Sequence, residues 1–139
     1  MKSLICGASL AALIVAGLIS ARVDAAADEP ASPEVVMKKL FAGKSAPNKA
    51  LQAAKKSDSP DWAKLKEVSD LFSKYAPDLG KNEPPKGDKA SWAKLTKALA
   101  DETKTLASAV DGKDSSSLKA TADKIGTSCK SCHEAHRPE

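Results

Sequence analysis

Near the C-terminus the chain reads Cys129-Lys130-Ser131-Cys132-His133, two thiols and an imidazole packed into five positions. A C-x-x-C-H run of this kind attaches a covalent c-type haem. The thiols add across the two vinyl groups as thioethers, and the histidine that follows turns its imidazole onto the iron. On a helix, positions 129, 132 and 133 are spaced i, i+3 and i+4, so the three side chains share one face. One short stretch then holds both the porphyrin edge and the metal. Other chemistries fit the pattern less well. A redox C-x-x-C pair expects a βαβ setting, and no strand alternation is visible here. A zinc or copper site built from Cys129, Cys132, His133 and His136 would crowd four ligands onto the last turns of one helix. Structural zinc sites draw ligands from separated pairs that can close a tetrahedron.

The other end of the chain reads as an export signal. Lys2 gives the positive start, Leu10 to Ile19 an apolar core, and Val23-Asp24-Ala25 and Ala25-Ala26-Ala27 offer small-residue cleavage sites. Cleavage after Ala25 or Ala27 is expected, so the chain divides into a signal peptide, 1–27, and one domain, 28–139. The apolar run is short for a membrane span of about 20 residues, so no lasting insertion is expected after cleavage. Export places the protein in a periplasm, where c-type haem is attached. Cys6 leaves with the signal, and only Cys129 and Cys132 remain.

Without its first 27 residues the chain carries a net charge of about +3, and 19 of its 20 cations are lysines spread along the sequence. Two haem propionates lower the balance further. This is too weak a field to argue for nucleic acid. The lysines read first as a solvated helical surface; a lysine-rimmed docking face for acidic redox partners is the alternative.

Four helices are expected to position the haem residues. Ser32-Pro33-Glu34 opens the first, with a capping serine, a proline at the first position and an early acid. Gly43 and Pro47 should kink or restart it before it runs on to about Lys56. Ser59-Pro60-Asp61 opens the second, in which Trp62, Leu65, Val68, Leu71, Phe72 and Tyr75 recur at helical spacing until Pro77 stops it. A proline- and glycine-rich loop, 77–89, leads to the third helix, Lys89 to Asp111, with Gly112 as its C-terminal cap. Ser115 to Ser117 cap the fourth, where Leu118, Ala122, Ile125, Cys129 and Cys132 form one stripe.

Four amphipathic helices with short connections predict an all-α, antiparallel four-helix bundle with the haem near one end. In that topology the start of the first helix lies beside the end of the last. Met37, the only methionine left after the signal, then sits at the same end as His133 and at similar depth. A thioether opposite a histidine is a common axial pair, so Met37 is the candidate distal ligand; simple packing is its alternative role. The same geometry names the expected haem pocket: Val36, Leu40 and Phe41, then Leu71, Phe72 and Tyr75, then Trp92 and Leu95. These would keep water off the porphyrin and raise its potential.

From about Glu34 to Arg137 the chain resembles class II c-type cytochromes, the cytochrome c′ family. The resemblance rests on C-x-x-C-H at the end of the last helix, Gly126 just before it, Arg137 four residues after His133, and the proline-rich loop leading to Trp92. It implies a four-helix bundle with one covalent haem c and its iron. In the low-spin kind, a methionine on the first helix is the sixth ligand and the protein carries electrons. The high-spin kind leaves that site to an apolar side chain and binds nitric oxide or carbon monoxide. Met37 aligns with the ligating methionine, which favours a periplasmic, non-enzymatic electron carrier over the gas-binding alternative; a Zn- or Cu-binding helical protein is a more distant third. Arg137 is the one guanidinium available near the propionates. His136 departs from the family, which has Phe or Tyr there, and is expected at the haem edge or in solvent. Redox proteins are the expected partners, and a homodimer is neither supported nor excluded.

Overall fold

The computed structural model describes residues 29–138. The expected signal peptide lies outside them. Five helices occur among the described residues: α1 (Pro33–Leu40), α2 (Pro47–Lys55), α3 (Trp62–Leu79), α4 (Lys89–Asp111) and α5 (Ser115–His136). No strand accompanies them.

The first expected helix is two. Ser32 caps α1 by accepting the Val35 N–H, and Pro33 takes the first position. The helix ends at Phe41, and Gly43 then turns the chain at φ +91°, a region that favours glycine. Pro47 opens α2. This is the restart expected between residues 43 and 47.

Asp61, rather than Ser59, caps α3, accepting the Lys64 N–H at 3.1 Å. Pro77 does not stop that helix. It lies inside the last turn, and α3 continues to Leu79. Two features outweigh the lost proline N–H. Leu79 is 1% exposed, and its carbonyl accepts the Trp92 Nε1–H at 3.1 Å, an indole acting as a C-terminal cap. Asp88 caps α4 through the Ser91 N–H at 2.7 Å.

At the other end of α4 the left-handed residue is Lys113 at φ +51°, while Gly112 stays right-handed at φ −81°. The Asp114 N–H reaches the Ala109 carbonyl at 2.8 Å and the Lys113 N–H reaches Val110 at 3.1 Å. This is a Schellman ending with lysine where glycine is usual. Asp114, not the serine run, caps α5 by accepting the Ser116 and Ser117 N–H groups.

The helices close a cycle: α3 packs on α4, α4 on α5, and α2 on both α5 and α3. Lys66 near the start of α3 pairs with Asp111 at the end of α4 at 3.0 Å, so neighbours run antiparallel. Gln52 of α2 donates to the Ala122 carbonyl of α5 at 2.8 Å. Gly126 makes room for that contact, since a Cβ there would stand 3.3 Å from the glutamine amide. Thus α1 and α2 together fill one corner of a four-cornered bundle. The core runs through Val36, Leu40, Leu51, Phe72, Leu106, Leu118 and Ile125, each wholly buried. Full burial of each such side chain contributes about 1.5–3 kcal/mol. The corner is asymmetric: α1 packs on α3 but not on α5, so a gap remains at that end of the bundle.

Candidate haem site

The gap is a small, largely apolar cavity of about 60 Å³. Met37 and Phe41 line it from α1, Leu79 from α3, Leu95, Thr96, Ala98 and Leu99 from α4, and Ser128, Cys129, Cys132 and His133 from α5. The i, i+3, i+4 face expected of the C-x-x-C-H run is therefore turned into one cavity, with the methionine of α1 on the same wall set.

The wall is chemically quiet. Thr96 donates its hydroxyl to the Trp92 carbonyl at 2.9 Å, and Ser128 donates to Ile125 at 2.8 Å, so both hydroxyls are engaged by their own helices. Burial pushes the Cys129 thiol above the usual thiol range. Burial does the same to Cys132, and the neighbouring Cys129 adds to it. Both cysteines are free of disulfide. Thiols held protonated in this way lack the lowered pKa of redox or metal-binding cysteines. Two unbridged thiols three residues apart, followed by a histidine, all on one largely apolar cavity, are the donor set that a covalent haem uses.

Of the other expected pocket residues, Phe41 and Leu95 reach the cavity wall. Val36, Leu40 and Phe72 are wholly buried in the bundle core instead. Phe72 backs the wall at one remove, its ring meeting Phe41 edge-on at 5.8 Å. Leu71 is corrected outright: it is 38% exposed, because it stands one helical step, about 100°, from the Phe72 face. Tyr75 is half-buried against the core, with Lys74 over its ring at 5.4 Å. Trp92 is buried behind the cavity, and its indole also donates to the Asn82 carbonyl at 2.8 Å. Arg137 follows the end of α5 and lines a second, shallower groove on the other side of His133, with Ser32, Glu34 and Pro138.

His136 does not face solvent, one of its two expected places. It is 2% exposed, with Nδ1 at 2.7 Å from the Lys86 carbonyl and Nε2 at 3.2 Å from Ser91 Oγ. Its ring meets Trp92 edge-on at 5.2 Å. With both nitrogens engaged there, it does not complete a metal cluster with Cys129, Cys132 and His133. No group of three or more metal-binding side chains gathers among the described residues.

Leu79, Thr96, Ala98, Leu99 and Ser128 are cavity residues that sequence reasoning missed. Leu79 falls beyond Pro77, where the helix was expected to have ended. Leu99 stands one turn after Leu95, and Ser128 directly precedes Cys129; continuing either face by a turn would have found them.

A family model described as Cytochrome C′ matches residues 87–137, which span all of α4 and α5 together with the turn that enters α4. No curated protein and no solved structure matches the chain significantly.

Proposed function

We propose, from the match of residues 87–137 to the Cytochrome C′ family model, that this chain is a c-type haem protein and a periplasmic carrier of single electrons. The iron of a bound haem supplies the redox chemistry by alternating between two oxidation states. The chain does the rest. Cys129 and Cys132 would fix the porphyrin, and His133 and Met37 would hold the iron. Phe41, Leu79, Leu95 and Leu99 would exclude water, which favours the reduced, less charged state and raises the potential.

One observation carries this reading over gas binding: Met37, the sole thioether outside the expected signal, lines the same cavity as Cys129, Cys132 and His133. Two fixed axial ligands leave the site little to rearrange when an electron arrives or leaves. The reading further takes the protein to act on other redox proteins and to be free of the membrane. Among the described residues, no helix is long and apolar enough to cross one.

The visible spectrum of the haem-loaded protein tests the proposal. A low-spin spectrum, oxidised and reduced, that carbon monoxide changes only slowly is expected. Met37→Leu should turn it high-spin and let carbon monoxide bind. A wild-type spectrum that is high-spin and shifts with carbon monoxide would replace the carrier reading with gas binding. Intact mass provides a separate check, since the mass of bare polypeptide after expression with haem-attachment machinery would end both.

A further inference from the structure

The backbones of the helix that carries Met37 and the helix that carries His133 do not approach closely, yet a belt of hydrogen bonds and one ring contact runs between them. The belt starts at His136, three residues, or nearly one helical turn, beyond the C-x-x-C-H run. A carbonyl can only accept, so Nδ1 of His136 carries the proton donated to Lys86, while Nε2 pairs with the Ser91 hydroxyl. The ring abuts Trp92. Trp92 donates to the Leu79 and Asn82 carbonyls. The Asn82 side-chain amide donates to the Ala31 carbonyl at 2.9 Å, and the Asp78 carboxylate accepts the Ala31 N–H at 3.0 Å. Ala31 is thus held at both backbone groups, directly before the Ser32 cap of α1. Gly87 shows how tight the first link is. It lies at φ +84°, and a Cβ there would stand 2.6 Å from the Ala135 carbonyl and 3.1 Å from His136 Nδ1.

We propose that His136 is a positioning residue: through this belt it sets how closely α1, and with it Met37, covers the cavity over His133. The proposal rests on the haem-site reading above. A phenylalanine at this position would keep the packing on Trp92 and lose both ring-nitrogen bonds, so bulk alone does not explain a histidine here. Because the backbones of α1 and α5 do not approach closely, their common neighbours help to orient the two ligand-bearing elements. The belt connects the last turn of α5 with Ala31, the residue before the Ser32 cap of α1.

The test is carbon monoxide association with the reduced, haem-loaded protein, followed by stopped-flow. His136→Phe breaks the first link, and Asn82→Ala breaks the one nearest α1. Each should speed association about tenfold, as expected when a closed equilibrium is released by one decade. His136→Gln keeps an amide donor for the Lys86 carbonyl and should recover most of the wild-type rate. Leu106→Ala, a buried α4 position away from the cavity, is the control for lost stability. Unchanged rates in both His136→Phe and Asn82→Ala would overturn the proposal, as would an equal acceleration in Leu106→Ala. If His136→Phe fails to fold, Asn82→Ala decides alone. A wild-type protein that binds carbon monoxide at once would defeat the electron-carrier reading, and the ratio of variant to wild-type rates would still judge the belt.

Discussion

Lys113 shows how a single residue can carry a cost that composition hides. It occupies the left-handed position that ends α4, with Gly112 one place too early to relieve it. Left-handed backbone is unfavourable for a residue with a Cβ by about 1 kcal/mol. Lys113→Gly should therefore stabilise the protein by about 0.5–1 kcal/mol, a rise of a few degrees in the thermal midpoint. A midpoint that stays put or falls would mean that the lysine side chain contributes something the backbone geometry does not reveal. Sequence reading placed the C-terminal cap at Gly112, where it is found, and did not foresee that the left-handed turn falls one residue later, on Lys113. Leu71 failed in a similar way. Its spacing fits a helix, but a window of apolar residues does not fix the centre of the buried face to within one residue. The cysteine–histidine run, by contrast, was fully legible, since its members act through a local spacing that any helix preserves.

Among the elements, α1 depends most on its attachments. It has eight residues, too few to persist alone, and its hold comes from the buried Val36 and Leu40 and from the ties at Ala31. Asp78 is one of those ties. The Lys81 ammonium bonded to it, more than the Ala31 N–H, holds its carboxyl below the usual carboxylate range. A carboxylate depressed in the folded state contributes stability above its unfolded pKa and loses it as pH falls through the folded one. Stability should therefore decline below about pH 4, the ordinary carboxylate value. Asp78→Asn should flatten that decline when unfolding is followed by circular dichroism; an identical pH profile would remove Asp78 from the account. Elements were legible wherever a capping residue and a hydrophobic period agreed, as over α4, whose limits match the expected ones. Pro77 was misread because its penalty is local, whereas the groups that outweigh it, buried Leu79 and the indole of Trp92, come from tertiary packing.

For the whole molecule, the antiparallel cycle brings the two ends of the folded domain together, and this is how Met37 and the C-x-x-C-H run come to share one cavity. That juxtaposition was legible from topology alone: an even number of helical passes returns the chain to the end where it began. The identity of most cavity-wall residues was not, because the lining depends on helix rotation and on the gap between α1 and α5. Filling that gap should stiffen the structure. The haem-loaded protein should melt above the Cys129→Ser/Cys132→Ser variant, with the largest gain in amide-exchange protection within α1. Equal protection of α1 in both forms would mean that the first helix is held entirely by α3.

The break between Phe41 and Pro47 also bears on the order of assembly. A continuous first helix would lock both halves of its corner at once, and the cavity would close as the bundle formed. Here α2 can complete its packing on α3 and α5 while α1 is still unplaced, so the chain acquires a nearly finished scaffold with one doorway. Pulsed hydrogen exchange during refolding should then find α1 protected last, after the thiols already stand in register on α5.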